Sequence, residues 1–195
     1  MNPDRRDRLR DAAIAVLAEA GGRGLTHRAV DAAAGVPAGT AKNYFPSRDA
    51  LLRGVAERCV EQYGATVERL AAQAPPSGRK ALAELLAGLL ADVAGPGRPR
   101  LLAYFELQAE AARKPWLSEV LDPIGGSDFP AFEAVQRAAG LPVTPHRAAV
   151  VTLALHAAIP HLLAGGTRTL GACGLDDPPR FARNLLEAVY PESGG

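Results

Sequence analysis

The run from Gly24 to Leu52, GLTHRAVDAAAGVPAGTAKNYFPSRDALL, is punctuated so closely that few folds can hold it. Thr26 is a good N-cap, and Ala29, Val30, Ala33 and Ala34 then recur at helical spacing. Gly35 accepts the left-handed conformation that ends a helix, and Val36 is apolar enough to anchor the turn. Pro37 suits the first position of a second helix, because its missing N–H would be an orphan there in any case. The spacing predicts that helix over Pro37 to Tyr44, carrying Thr40, Lys42, Asn43 and Tyr44. Phe45-Pro46 closes it, Ser47 caps a third helix, and Leu51, Leu52 and Val55 give the third its buried stripe. Two short helices, the second presenting hydrogen-bond donors and a cation, make the helix-turn-helix device that enters a DNA major groove.

Upstream, Asp4 to Ala20 reads as an amphipathic helix, with Leu9, Ala12, Ala13, Val16, Leu17 and Ala20 on one face. The helix ends at the Gly21-Gly22 break, and its apolar face should cover the two short helices and complete a three-helix unit. Its arginines either approach phosphate or pair with Asp4, Asp7 and Asp11 in solvent. Residues 1 to 60 hold ten basic and seven acidic residues, and the rest of the chain twelve and fourteen, within a net charge of +1. A mildly basic first third fits docking on phosphates, although ordinary solvated surface would look much the same.

Gly35-Val36-Pro37-Ala38-Gly39-Thr40-Ala41-Lys42-Asn43-Tyr44-Phe45-Pro46-Ser47-Arg48-Asp49-Ala50-Leu51 resembles the DNA-binding signature of TetR-family transcriptional regulators. The resemblance covers about residues 5 to 55 and is specific. Gly-Val, Gly-Thr, the aromatic Phe45 and Ser-Arg-Asp-Ala-Leu all fall at family spacing. The chain departs from the pattern at Pro37, Ala41, Lys42 and Tyr44, where the family commonly has Ser, Leu, Tyr and His.

The resemblance implies that Thr26, His27 and Arg28 approach the DNA backbone or groove edge. It implies that Ala38, Gly39, Thr40, Lys42, Asn43 and Tyr44 face the groove, and that Arg48 holds a phosphate at the start of the long helix. The chemistry agrees. Arg28 can donate twice to a guanine edge and Asn43 can pair with adenine, although Asn43 could instead cap its own turn. Lys42, a flexible point charge, suits a phosphate better than a base edge.

Downstream the chain reads as helix after helix. One long helix runs from Ser47 to about Gln73 with Leu51, Leu52, Val55, Cys59, Val67 and Leu70 on its stripe, and Ala74-Pro75-Pro76-Ser77-Gly78 breaks it. Helices are predicted over Arg79–Ala94, Arg100–Arg113, a segment from Lys114-Pro115-Trp116, Phe129–Ala139, Thr144–Ala164 and Pro178–Tyr190. Gly95-Pro96-Gly97-Arg98-Pro99 and a Gly-rich loop over Pro123–Asp128 interrupt them. No strand alternation or repeat is visible, and 48% hydrophobic residues with only 5% aromatics favour helices packed on helices. The fold class is therefore all-α, with a helix-turn-helix domain over residues 1–50 and a helical ligand-binding and dimerisation domain over residues 51–195.

Ala148 to Gly166 is apolar enough to raise a membrane span, but Thr152, His156, Pro160 and His161 interrupt it and no aromatic belt flanks it. Such a helix is buried on several sides, either as a central core helix or at a homodimer seam. The resemblance points to the seam, formed by Thr144–Ala164 with Pro178–Val189. No signal-peptide core precedes the first helix, and Cys59 and Cys173 form no CxxC pair, so a cytoplasmic protein is expected, with Cys59 in the core.

Neither catalysis, a metal nor a cofactor finds support. There is no GxSxG, P-loop or dinucleotide fingerprint. His156 and His161 lie five apart, about 140° around a helix, so they do not converge on one ion. With Tyr104, Phe105 and Trp116 they are either polar and aromatic lining of a ligand cavity or satisfied core groups. Glu106 and Glu110 read as a solvated or pocket-lining face. The expected partners are thus a double-stranded, palindromic DNA operator, an unknown small-molecule effector and a second copy of the chain. By the resemblance, the protein is a repressor released from DNA when an effector tilts the long fourth helix. The competing possibility is a helical ligand-binding or scaffold protein whose helix-turn-helix is purely architectural.

Overall fold

The computed structural model describes residues 3–71 and 74–191, and every regular element among them is helical. In chain order these are α1 (Pro3–Gly24), α2 (His27–Ala34), α3 (Thr40–Tyr44), α4 (Arg48–Ala71) and α5 (Gly78–Ala94). They continue with α6 (Arg98–Ala111), α7 (Pro115–Ala138), α8 (Pro145–Ala164), α9 (Thr167–Cys173) and α10 (Pro178–Val189). The end expected for the long helix, Gln73, and the side chains of Val67 and Leu70 lie outside the described residues.

The chain divides into two compact units. The first holds Met1–Thr66 with Pro99–Gly125, the second Val67–Arg98 with Gly126–Gly195. In the first, the apolar face of α1 (Leu9, Ala13, Leu17) packs with Val30, Leu52 and Val55. Each such leucine removed from water contributes roughly 1.5–3 kcal/mol. Ala103, Leu107 and Leu117 from α6 and the start of α7 join this same core. Cys59 sits in it as expected, and burial pushes its thiol up to about 12, so it stays protonated. In the second unit α5, α8 and α10 bury Leu82, Leu86, Val151, Leu155 and Leu186 together.

Polar side chains finish the helix ends and seams. Thr144 caps α8 by accepting the Arg147 N–H, and Asp177 caps α10 by accepting the Arg180 N–H. Arg79 closes the other end of α10, donating to the carbonyls of Leu186 and Tyr190. Tyr190, fully buried, donates its hydroxyl to the buried Gln136 at 2.9 Å. The arginines of α1 mostly pair rather than wait for phosphate. Arg10, 5% exposed, bonds Asp7 and Glu61, and Arg6 reaches Glu57 at 3.4 Å. From α4, Arg58 reaches back to both oxygens of Asp11.

Three sequence expectations need correction. The second short helix begins at Thr40, not Pro37. Pro37 to Gly39 form a turn, with Gly39 at φ 89°, a left-handed conformation that a helix cannot contain. The Gly-rich loop over Pro123–Asp128 does not exist, because α7 runs unbroken through Gly125 and Gly126. Its reason is periodic: buried Leu117, Leu121, Ile124, Asp128 and Gln136 keep one helical stripe across the glycines. The separate helix expected over Phe129–Ala139 is thus the second half of α7. In addition, α9 covers Thr167–Cys173, where the sequence carries no helix signal of its own. By contrast, the break expected at Gly21-Gly22 is present, with Gly21 at φ 65° inside α1.

By length and composition α8 could cross a membrane. It buries Ala148, Val151, Thr152, Leu155, Ala158 and Leu163 within its unit, while Val150 and Leu153 stand 38% and 55% exposed. It therefore has a core face and an uncovered apolar one.

Candidate nucleic-acid interface

The interface is assembled from α2, the turn after it, and α3. Thr26 caps α2 by accepting the Ala29 N–H at 3.1 Å. Gly35, left-handed at φ 61°, ends it, and the N–H groups of Gly35 and Val36 return to the carbonyls of Ala32 and Asp31. Ala41 and Phe45, 0% and 2% exposed, then fix α3 on the core. Gly54 of α4 is what lets Phe45 sit so close. A Cβ there would stand 2.5 Å from the ring.

The residue that sets α3 in place is Asp31, 3% exposed. Its two carboxylate oxygens accept the Gly39 N–H at 2.8 Å and the Ala41 N–H at 2.6 Å. A buried charge thus meets two backbone donors at the start of α3. Sequence reasoning passed over it, because bonds eight and ten residues ahead leave no local pattern.

The expected contact residues fall into two groups. Thr26, Arg28, Ala38, Gly39, Lys42 and Asn43 are exposed, and Thr40 is half-buried. The Thr40 hydroxyl donates to the Pro37 carbonyl at 2.6 Å and keeps acceptor capacity outward. His27 and Tyr44 are half-buried and face protein, while the exposed Arg48 is tied to backbone carbonyls. The His27 Nε2 lies 2.6 Å from the Phe45 carbonyl, and Tyr44 packs against the core. Arg48 donates to the Leu25 carbonyl at 2.7 Å and the Gly22 carbonyl at 2.6 Å, holding the turn between α1 and α2.

That turn is held from a second element as well. Glu106 of α6, half-buried, accepts the Gly22 N–H at 2.9 Å. Nearby, Lys114 bonds Asp49 at 2.7 Å and the Arg53 guanidinium covers the Trp116 ring at 4.7 Å.

The five expected ligand-lining residues divide between the units. Tyr104, Phe105 and Trp116 belong to the first. Tyr104 and Phe105 meet edge to face at 5.8 Å, and the Tyr104 hydroxyl accepts from Gln108. In the second unit His156 lies 2.7 Å from Asp128, and His161 is exposed.

A short helix pinned by its backbone amides, with cations and amides outward, defines a helix-turn-helix DNA-binding protein. Residues 9–55 match the family of bacterial regulatory proteins of the tetR type, and residues 77–192 match the tetracyclin repressor-like C-terminal domain. The chain belongs to the TetR family of transcriptional regulators. Among solved structures it is similar to a TetR-family member from Streptomyces coelicolor A3, at 27% identity and TM-score 0.67, covering 97% of this chain and 100% of that one. It is also similar to the multidrug binding protein EbrR complexed with proflavin, at 28% identity and TM-score 0.60, covering 95% and 99%. A regulator from Rhodococcus sp., at 21% identity and TM-score 0.67 over 97% and 100%, shares the fold. No curated protein matches the sequence.

Proposed function

We propose that this regulator is a cytoplasmic, ligand-responsive repressor that binds a palindromic operator as a homodimer. The observation that carries the DNA side is the Asp31 grip on Gly39 and Ala41, which fixes α3 while Lys42 and Asn43 stay outward. Arg28, Thr40, Lys42 and Asn43 make the polar contacts, Thr26, Ala38 and Gly39 lie along the groove edge, and His27, Tyr44 and Arg48 hold the frame. Residues 1–50 read DNA and residues 51–195 dimerise and bind the effector.

Support for dimerisation comes from the uncovered face of α8, where Val150 and Leu153 are exposed. In a two-fold dimer the recognition helices would meet half-sites about one DNA turn apart, on the order of 35 Å. The effector reading draws on EbrR, whose structures hold proflavin, ethidium and malachite green. An effector favouring one half-site spacing over the other shifts the population and releases the operator.

The test is fluorescence anisotropy against DNA flanking the protein's own gene, at two salt concentrations with competitor DNA. Competitor-resistant binding is expected, and Lys42→Ala should weaken it while reducing the salt slope by about one. Binding that competitor removes, on that DNA and in a broader selection, would reject operator recognition in favour of an architectural helix-turn-helix.

A further inference from the structure

The recognition helix is short, and both of its ends are held from α2. With five residues, α3 is too short for its own bonds to satisfy its terminal groups. At its start, Asp31 accepts the N–H groups of Gly39 and Ala41. At its finish the chain supplies no donor. Pro46 has no N–H, and among the described residues no backbone N–H outside the helices bonds the carbonyl of the buried Phe45. The group that meets this carbonyl is the His27 ring, whose Nε2 lies 2.6 Å from it. A carbonyl only accepts, so Nε2 carries the proton, in the neutral and the charged ring alike.

His27 and Asp31 stand four residues apart on α2, which stacks them on one face, about 6 Å from each other along the axis. The five residues of α3 rise about 7.5 Å. The two grips therefore match the length of the helix they hold, one on its amino end and the other on its carboxyl end. Arg28 follows about 100° further round α2 and is exposed. One face of α2 is thus given to fixing α3, and Arg28 is left for DNA. A helix held by Asp31 alone could still pivot about its first turn, and Asn43, two residues before Phe45, would move with the free end. Bonds to a base edge need a donor and acceptor held closely in place, whereas a flexible lysine follows a phosphate through such a movement.

We infer that His27 is a positioning residue for base readout: with Asp31 it locks both ends of α3 to α2 before DNA arrives, and it sets sequence discrimination without touching DNA. The inference deepens the operator-recognition reading above and rests on it.

Two measurements on the full-length protein test it. The first needs no DNA. Amide hydrogen exchange over residues 40–45, read by mass spectrometry, should quicken several-fold in His27→Ala while exchange in α1 stays as in the parent. His27→Gln, whose side-chain amide nitrogen reaches the same place, should restore the parent rate. The second compares an operator duplex, taken from the flank of the protein's own gene or from a broader selection, with a random duplex of equal length. His27→Ala should weaken operator binding by about 10-fold or more, leave the random duplex within about two-fold, and leave both salt slopes unchanged. His27→Gln should recover the discrimination. A phosphate contact at His27 would instead lower both affinities together and reduce the slope by about one, and that result would overturn the inference. Unchanged exchange in α3, or quickened exchange with discrimination intact, would overturn it as well. A parent protein that prefers no sequence, with α3 loosened in His27→Ala, would keep the grip and reject the operator-recognition reading instead.

Discussion

Asp31 shows how much a single buried carboxylate can decide. Its oxygens hold the N–H groups of Gly39 and Ala41, and among the described residues no other side chain caps the start of α3. Asp31→Ala leaves the buried Ala41 N–H unpaired and frees the exposed Gly39 N–H to water, which should cost about 1–3 kcal/mol of stability in the first unit. Circular dichroism during denaturant titration would read that loss, and the melting of the second unit should not follow it. An Asp31→Ala protein as stable as the parent would show that water or a shifted turn satisfies the donors. The sequence announced α2 well, because Thr26 and Gly35 act within their own turn. Asp31 was invisible for the opposite reason: its partners are fixed by the fold and not by spacing. His27, Tyr44 and Arg48 teach the same point, being residues of polar type whose bonds and contacts turn inward.

At the level of elements, α1 and α4 are tied by charge as well as by leucine. Glu61 accepts from Arg10 and Arg58, and Asp7 bonds Arg10. Burial works to raise the Glu61 carboxyl, but the bonds from Arg10 and Arg58 prevail and hold it below its ordinary value near 4.5. The Arg10 bond likewise holds Asp7 below 3.8. Both groups ionise more readily folded than unfolded, so their contribution is complete above the ordinary carboxylate range. It disappears as pH falls through their lowered values. The melting temperature of the first unit should therefore drop on acidification from about pH 7 to about pH 3, and Glu61→Gln should make that dependence shallower. A parallel pH profile in the variant would remove Glu61 from the linkage. Element boundaries were legible where caps are local and illegible where packing overrode glycine. The cost of a glycine inside a helix, about 1 kcal/mol, suggested a loop at Gly125-Gly126. The buried stripe from Leu117 to Gln136 outweighed it.

For the molecule as a whole, the uncovered face of α8 is the feature that most needs a partner. Leu153 is 55% exposed amid Val150 and Ala157, with no charged side chain between Arg147 and Arg168. Leu153→Asp should convert the proposed dimer to monomer in analytical ultracentrifugation. It should also lower operator affinity by about 100-fold, since each recognition helix would then bind without its tethered twin. A monomeric parent protein would refute the seam. The sequence suggests this helix as either core or interface, and the structure gives it one buried face and one uncovered apolar face. The choice was not legible, because hydrophobicity alone does not say which copy of the chain will cover a face.

The grip on the turn at Gly22 bears on how such regulators can be recombined. Arg48 holds the Gly22 carbonyl and Glu106 holds its N–H, so one peptide neighbourhood is gripped from positions 26 and 84 residues further along the chain. Lys114 and Trp116 add two more ties to α4 through Asp49 and Arg53. A graft that joined residues 1–66 to a foreign bundle would therefore carry across only half of this fastening. A recipient lacking an acid opposite Gly22 and a base opposite Asp49 would leave the transplanted reading head folded but loosely seated. Operator specificity in such hybrids should depend on three residues that never approach DNA.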